Sequence, residues 1–336
     1  MYQDFKDIYD IYSVSSDESE IKKYLAKKYE NLGYLTFEDR LNSIFLNKEN
    51  KGKPKLMIGF PLDEIGLMIE NIEEDGKIRF IFLEDLSPLS FINQRVNIKT
   101  RDNGNIKGVV CLDRKFIENK SSNFDGKDLY IKAFLDDDDL FEKVNIGDLV
   151  SLDTDILEDE NFLTGKALSQ KIFSYLSIDL ARIIKERSYG FDLYIGGISH
   201  STIGFRGSQT SAHLIKPDFS INLSGFEVNN SSPKINLGDG AIISYFDSKM
   251  LPDQKFLSFI KNNFKLKPYI GLRENDGSFV HKTLKGAASI SMGLPIKNMY
   301  TGNELIFKND YKELKEVILQ ILDDFDKFIG SYYGFD

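Results

Sequence analysis

Cysteine, histidine and tryptophan are nearly missing from this chain: Cys111 stands alone, histidine occurs 3 times and tryptophan not at all. One thiol cannot close an internal disulfide and cannot build a thiolate-rich metal cluster. Any imidazole-based metal centre must draw on His200, His213 and His281. Long apolar runs are missing too. None approaches the roughly 20 residues that cross a bilayer, and the opening residues mix acids with aromatics instead of placing a basic stretch before an apolar one. Lys and Arg number 43 against 52 Asp and Glu, a net charge of −9, and they form no stripe able to displace counterions from a phosphate backbone. These absences argue against a nucleic-acid partner, a membrane span and a secretory leader, and they set the cytoplasm as the expected location. The acidic run Asp136 to Asp139 lacks the spaced oxygen ligands, mid-loop Gly and closing Glu of a calcium loop, so it reads as a solvated turn.

What is present is an ordinary globular composition, 336 residues of which 41% are hydrophobic and 28% charged, long enough for a large core plus a smaller module. Ile21, Tyr24, Leu25 and Tyr29 share one face of a predicted helix, with Ser15 to Glu20 offering cap residues. Short apolar segments at 43–46 and 55–60 read as strands. Between about 66 and 159 short alternating segments (67–72, 78–83, 96–100, 108–112, 128–133, 149–152) are separated by turn signals such as Glu74-Asp75-Gly76, the texture of a small all-β module. Beyond Gly165, helices and strands alternate: Leu168, Ile172, Leu176, Leu180, Ile183 and Ile184 line one helix face, strands are predicted at 193–198, 219–223, 241–246, 269–272 and 287–292, and a helix at 253–264. A long apolar stripe from Leu314 to Ile329 closes the chain, with Asp310 and Glu313 as an acidic capping pair. An α/β body interrupted by a β module is the economical architecture.

Five local motifs then fall in a telling order. They are Leu62-Asp63-Glu64-Ile65-Gly66 after an apolar strand, Gly165-Lys166-Ala167-Leu168, Gly204-Phe205-Arg206-Gly207-Ser208, Lys216-Pro217-Asp218, and Ser291-Met292-Gly293-Leu294-Pro295. In this order the chain resembles the tetrahedral, dodecamer-forming class of glutamyl and leucyl metallo-aminopeptidases, some of which carry the name endoglucanase M. The resemblance implies a three-layer α/β/α zinc-aminopeptidase-like body made of residues 1–66 and 160–336. It also implies an inserted small β-barrel, 67–159, that serves oligomerisation.

The family holds two divalent cations, zinc or cobalt, with two His, a bridging Asp and two further acids, and a neighbouring Glu acts as general base. Carried over position by position, the first His falls on Pro61, the bridging Asp on Ser169, the Glu-Glu pair on Ser201 and Thr202, a further Asp near Ser224 and the closing His on Tyr300. The Asp of a Gly-Thr-Asp segment has Phe279 as its nearest equivalent. Asp63, which in the family orients the first His, is retained. None of the replacements is a good ligand for zinc or cobalt. The resemblance therefore implies a vestigial pocket lined by small residues, polar and uncharged, with Asp63 its main remaining acid, and a protein without metal cofactor.

Two functions stay open at this point. One is a non-catalytic binding or assembly subunit, a homo-oligomer from dimer to dodecamer or a mixed oligomer with an active paralogue, its pocket empty or taking a peptide uncleaved. The other is an active metal-dependent aminopeptidase with a rebuilt site that uses His200 and His281. Ser199-His200 does not make a nucleophile and base, since adjacent strand residues face opposite ways. Gly204 to Gly207 lacks the third Gly and the Lys of a nucleotide loop and reads as a turn.

Overall fold

The computed structural model describes residues 2–102, 104–118, 123–230 and 233–334. Helices α1 (Tyr2–Tyr9) and α2 (Ser19–Asn31) lead into β1 (Leu35–Glu38), β2 (Ile44–Lys48) and β3 (Lys55–Pro61). Then come β4 (Leu67–Ile72), β5 (Ile78–Phe82), β6 (Arg95–Lys99), β7 (Asn105–Leu112), α3 (Arg114–Glu118), β8 (Leu129–Ala133), α4 (Asp137–Lys143) and β9 (Leu149–Leu152). The chain continues through β10 (Leu157–Glu158), β11 (Phe162–Gly165), α5 (Leu168–Ile184), β12 (Asp192–Ile198), α6 (Arg206–Ile215) and β13 (Phe219–Glu227). It ends with β14 (Ile242–Phe246), α7 (Gln254–Asn263), β15 (Lys267–Ile270), α8 (Gly277–Val280), β16 (Ala288–Ile296), β17 (Glu304–Phe307) and α9 (Lys308–Tyr333).

Eight strands form the body sheet in the order β1-β2-β12-β3-β13-β16-β14-β15. The central run β12, β3, β13 and β16 is parallel, and these strands read as near-continuous apolar runs because both their faces are covered. Alternation assigns the two faces. Leu56, Ile58 and Phe60 of β3 join the large core with α5 and α9, whereas Met57 packs with Ile198, Ala212, Ile215 and Val280 under α6 and α8. The body is thus three-layered. Strands β4 to β9 close into a six-stranded barrel in the order β4-β5-β8-β7-β6-β9, with a core of its own built on Ile69, Ile78, Val96, Val110, Ile131 and Val150.

Some local expectations are corrected. The 26-residue α9 is amphipathic as predicted, whereas the 17-residue α5 is buried on nearly every side and Ile183 of its predicted face is exposed; neither acidic nor hydroxyl caps act where the sequence offered them. Helix α2 has no side-chain cap, and Ser15 bonds Asp63 instead. Asp310 does not cap α9; its carboxylate accepts from Gly238 N and Gly240 N, each at 2.9 Å. A buried acid facing two backbone donors outranks a helix end that water can satisfy. Part of the acidic run is helical in α4 and not a turn. The Gly204–Gly207 turn leads directly into α6, where a Cβ at Gly207 would stand 2.1 Å from the Ser199 carbonyl oxygen.

Candidate functional site

In a parallel sheet the carboxyl ends of the central strands converge on one edge, where ligands bind. Here that edge carries a cavity of about 150 Å³ at the ends of β3, β12 and β13. Pro61, Ser169, Ser201, Thr202, Ser224 and Tyr300 all line it, so six positions spread over 240 residues of sequence meet in one place. Asp63 lies just beneath. Among the described residues no group of three or more His, Cys, Asp or Glu side chains is arranged to hold a metal ion.

Each lining serine and threonine hydroxyl is held from behind by an acid or a carbonyl. The buried Asp63 accepts from Ser201 N at 2.8 Å, Thr202 N at 3.0 Å, Thr202 Oγ1 at 2.7 Å and Ser15 Oγ. Pro61 offers no imidazole to orient, and the carboxylate organises the turn after β12. Burial, reinforced by Glu18, pushes the Asp63 carboxyl up. Asp276 accepts from Ser201 Oγ at 3.0 Å and Ser208 Oγ at 2.6 Å, and burial pushes it up to about 7. Glu304 accepts from Ser169 N, Ser169 Oγ and Tyr300 N at 2.6, 2.9 and 2.7 Å and is likewise pushed up to about 7 by burial. That last bond fixes Tyr300 at φ +62°, a left-handed conformation rare for an aromatic residue.

The mouth is charged, contrary to the expectation of an uncharged pocket. Glu84, just past β5 on the barrel side, pairs with Arg273 of the body, whose guanidinium lies 3.8 Å from the centroid of the Tyr300 ring. Burial pushes Glu84 up to about 7 despite that partner. Glu227, at the end of β13, accepts from Met299 N at 2.9 Å. Glu84, Glu227, Arg273, Glu274 and Asp276 all line the cavity, yet none lies in the five motifs, which is why sequence reading missed them. Asp276 had one signal, the polar Asn275-Asp276-Gly277 turn that opens α8, three residues before Phe279. Phe279 is not among the cavity-lining residues and is stacked on Phe205.

The motifs also hold each other. Lys166 Nζ reaches Glu64 Oε2 at 2.8 Å, joining the second motif to the first, and the buried Lys171 stands 3.8 Å from Glu64 Oε1. Burial alone would raise the Glu64 carboxyl, but the two lysines bring it below its ordinary range. Burial lowers Lys171 to about 8.

The histidines do not meet. His200 follows the end of β12 at φ +51°, so the strand argument applied to Ser199-His200 fails on its premise: both residues lie past the strand. Ser199 Oγ pairs with Ser43 Oγ, while His200 Nδ1 sits 3.2 Å from the fully buried Glu18, an ion-pair distance without hydrogen-bond alignment. His281 borders a separate groove with Asp218 and Lys285, its Nδ1 2.9 Å from Gly277 O.

The M42 glutamyl aminopeptidase family model matches residues 42–317. The chain belongs to that family. It is 28% identical over 328 residues to FrvX of Escherichia coli K12, covering 91% of this chain and 90% of that protein. Among solved structures it superposes on aminopeptidase APDkam598 of the archaeon Desulfurococcus kamchatkensis with a TM-score of 0.90, at 21% identity over 97% of this chain and 96% of that one. The Pyrococcus horikoshii TET1 peptidase, which can assemble into a tetrahedron or a large octahedral shell, gives 0.83 at 16% identity over 94% and 97%. The M42 fold, an α/β body with a closed barrel, is therefore the fold of this chain, and no described helix is long and apolar enough to cross a membrane.

Proposed function

We propose that this M42 chain is a binding or assembly subunit that does not use the two-metal hydrolytic route. The observation that carries the reading is the donor set of the cavity. Pro61 has no side-chain donor, Ser169, Ser201, Thr202 and Ser224 are neutral hydroxyls, and Tyr300 sits under a guanidinium. Of the carboxylates nearby, Asp276 is held by two serines and Glu304 by three donors, while Glu84 gives one oxygen to Arg273 and has a second without a hydrogen-bond partner. Such a set does not fit two divalent cations, which need several ionised or imidazole ligands with open lone pairs. No hydrolytic step is derived through them. Residues 1–66 and 160–336 act as one body in this reading and 67–159 as an oligomerisation module, in a cytoplasmic homo-oligomer or a mixed shell with an active paralogue. The assembly of the TET1 relative supports the oligomer.

Likeness to named aminopeptidases favours the second reading, a metal-dependent peptidase with a rebuilt site. Elemental analysis of the purified chain after incubation with zinc or cobalt separates the two. The proposal expects well under one tightly bound ion per chain and no chelator-sensitive turnover of aminoacyl chromophores. About two bound ions per chain, as in a two-metal site, would sink it.

A further inference from the structure

Hydroxyl groups can donate or accept, so what a serine-lined cavity recognises depends on where its protons go. Ser224 Oγ donates to Gly225 O and Ser244 Oγ to Phe246 O. Thr202 Oγ1 donates to Asp63, Ser201 Oγ to Asp276, and Ser169 Oγ to Glu304 or Gln170. In these hydrogen bonds each hydroxyl directs its single proton into the protein and turns its lone pairs toward a ligand. The mouth adds more acceptors, Glu227 and Glu84, and Glu84 Oε2 is buried with no hydrogen-bond partner. A lining so rich in acceptors selects a ligand rich in donors and positively charged. A primary ammonium, three N–H donors and no acceptor, is the simplest such group.

One group in the lining runs the other way. Arg273 has five N–H donors in a planar fork, of which Glu84 and Tyr300 take only part, and its face is immobilised on the Tyr300 ring. A guanidinium held flat with free edge donors is suited to a carboxylate. The third feature is apolar: Phe226 and Tyr269, their ring centroids 4.9 Å apart, form one wall. The space, about 150 Å³, is of the size that holds one benzene-sized ligand in an engineered protein cavity, room for a single residue.

We infer that the cavity binds a single free α-amino acid as its zwitterion. Its ammonium lies against the hydroxyl and carboxylate lining, its carboxylate on Arg273 and its side chain toward Phe226 and Tyr269. The inference rests on the metal-free reading of the site, since a resident cation pair would take the place of the ammonium. It narrows the ligand from a peptide to one residue, a sensor-like role for a fold otherwise used for cleavage.

The test is calorimetric titration of the chelator-treated, oligomeric protein with the standard free amino acids, and with the amide and N-acetyl derivative of whichever binds best. At least one free amino acid should bind with a Kd near or below about 1 mM. Its amide and its N-acetyl derivative should each bind about tenfold more weakly or worse, the loss expected for one charge-assisted contact. Arg273→Gln should bring the acid down to the affinity of its amide, while Arg273→Lys restores part of the difference; melting curves of both variants confirm the fold. Equal affinity for acid and amide, or an unchanged Kd in Arg273→Gln, would overturn the assignment. Binding that appears only after zinc or cobalt is returned overturns the metal-free reading and leaves the ligand class standing. No binding in either state, by a chain shown to hold no metal, overturns the ligand class alone.

Discussion

Ser169 gives Glu304 both its backbone N–H, at 2.6 Å, and its hydroxyl, at 2.9 Å, so a residue at the head of α5 is clamped by a buried acid from β17. Tyr300 N completes the clamp at 2.7 Å. Burial nonetheless holds the Glu304 carboxyl up at about 7, so the folded chain keeps a proton that the unfolded chain loses from about pH 4.5 upward. Stability therefore falls as pH rises through that window. Glu304→Gln removes the titration. Its melting temperature relative to wild type should climb between pH 5 and 8, a change of roughly 3 kcal/mol in the difference. A pH-independent difference would refute this account.

Asp63 accepts four hydrogen bonds, two of them from backbone N–H groups of the turn after β12. Asp63→Ala strands those donors in a buried site and should cost about 3–5 kcal/mol in chemical denaturation. Asp63→Asn keeps one acceptor oxygen and should cost distinctly less. Equal losses would mean that the carboxylate is only filling space.

His200 is raised from its ordinary range by its contact with Glu18, partly offset by burial and by Arg206, with Asp63 adding to the rise. A raised histidine stabilises the fold fully below its unfolded value of about 6.5, and that contribution disappears as pH climbs through the higher folded value. Wild type should lose stability over that interval, and His200→Gln should lose less. Parallel pH profiles for the two proteins, read from urea midpoints, would contradict the pairing.

Arg273 and Glu84 join body to barrel, and their side chains are 44% and 18% exposed. With that exposure the pair itself is worth about 1 kcal/mol, which a double-mutant cycle of Arg273→Gln and Glu84→Gln would measure. The coupling should shrink at high salt. A cycle that closes to zero at low salt would show that stacking on Tyr300 alone places the guanidinium.

Much of the fold was legible because it rests on periodicity. The predicted strands 67–72 and 149–152 coincide with β4 and β9, their alternation fixed by a barrel with an inside and an outside. Strand β13 runs to Glu227, four residues beyond its predicted end, because Ser224 and Gly225 carry no apolar signal and are held in place by pairing with β16. Helix α6 was invisible for a similar reason: Arg206 to Ile215 is rich in Ser, Thr and Gln, and packing under β12 decides it. At the site, motif order located Pro61, Ser169 and Tyr300. What it could not give was the set of charged groups around them, Glu304, Asp276 and Arg273. Their roles come from three-dimensional proximity, Glu304 to Ser169 across 135 residues, Asp276 to Ser201 across 75 and Arg273 to Glu84 across 189, and no spacing rule encodes that.

The closed ring of the barrel has a consequence for how this chain meets others. Because β9 pairs with both β6 and β4, the ring has no edge strand left to offer a new neighbour. Contacts made through it must be made by side chains, whose chemistry can be changed one residue at a time without reopening the ladder. The body sheet is different, for β1 and β15 each have a partner on one side only. Strand β15 already carries Pro268, so the open margin of this sheet is β1, and a proline placed in β1 would forbid backbone pairing of two copies there while leaving the barrel untouched.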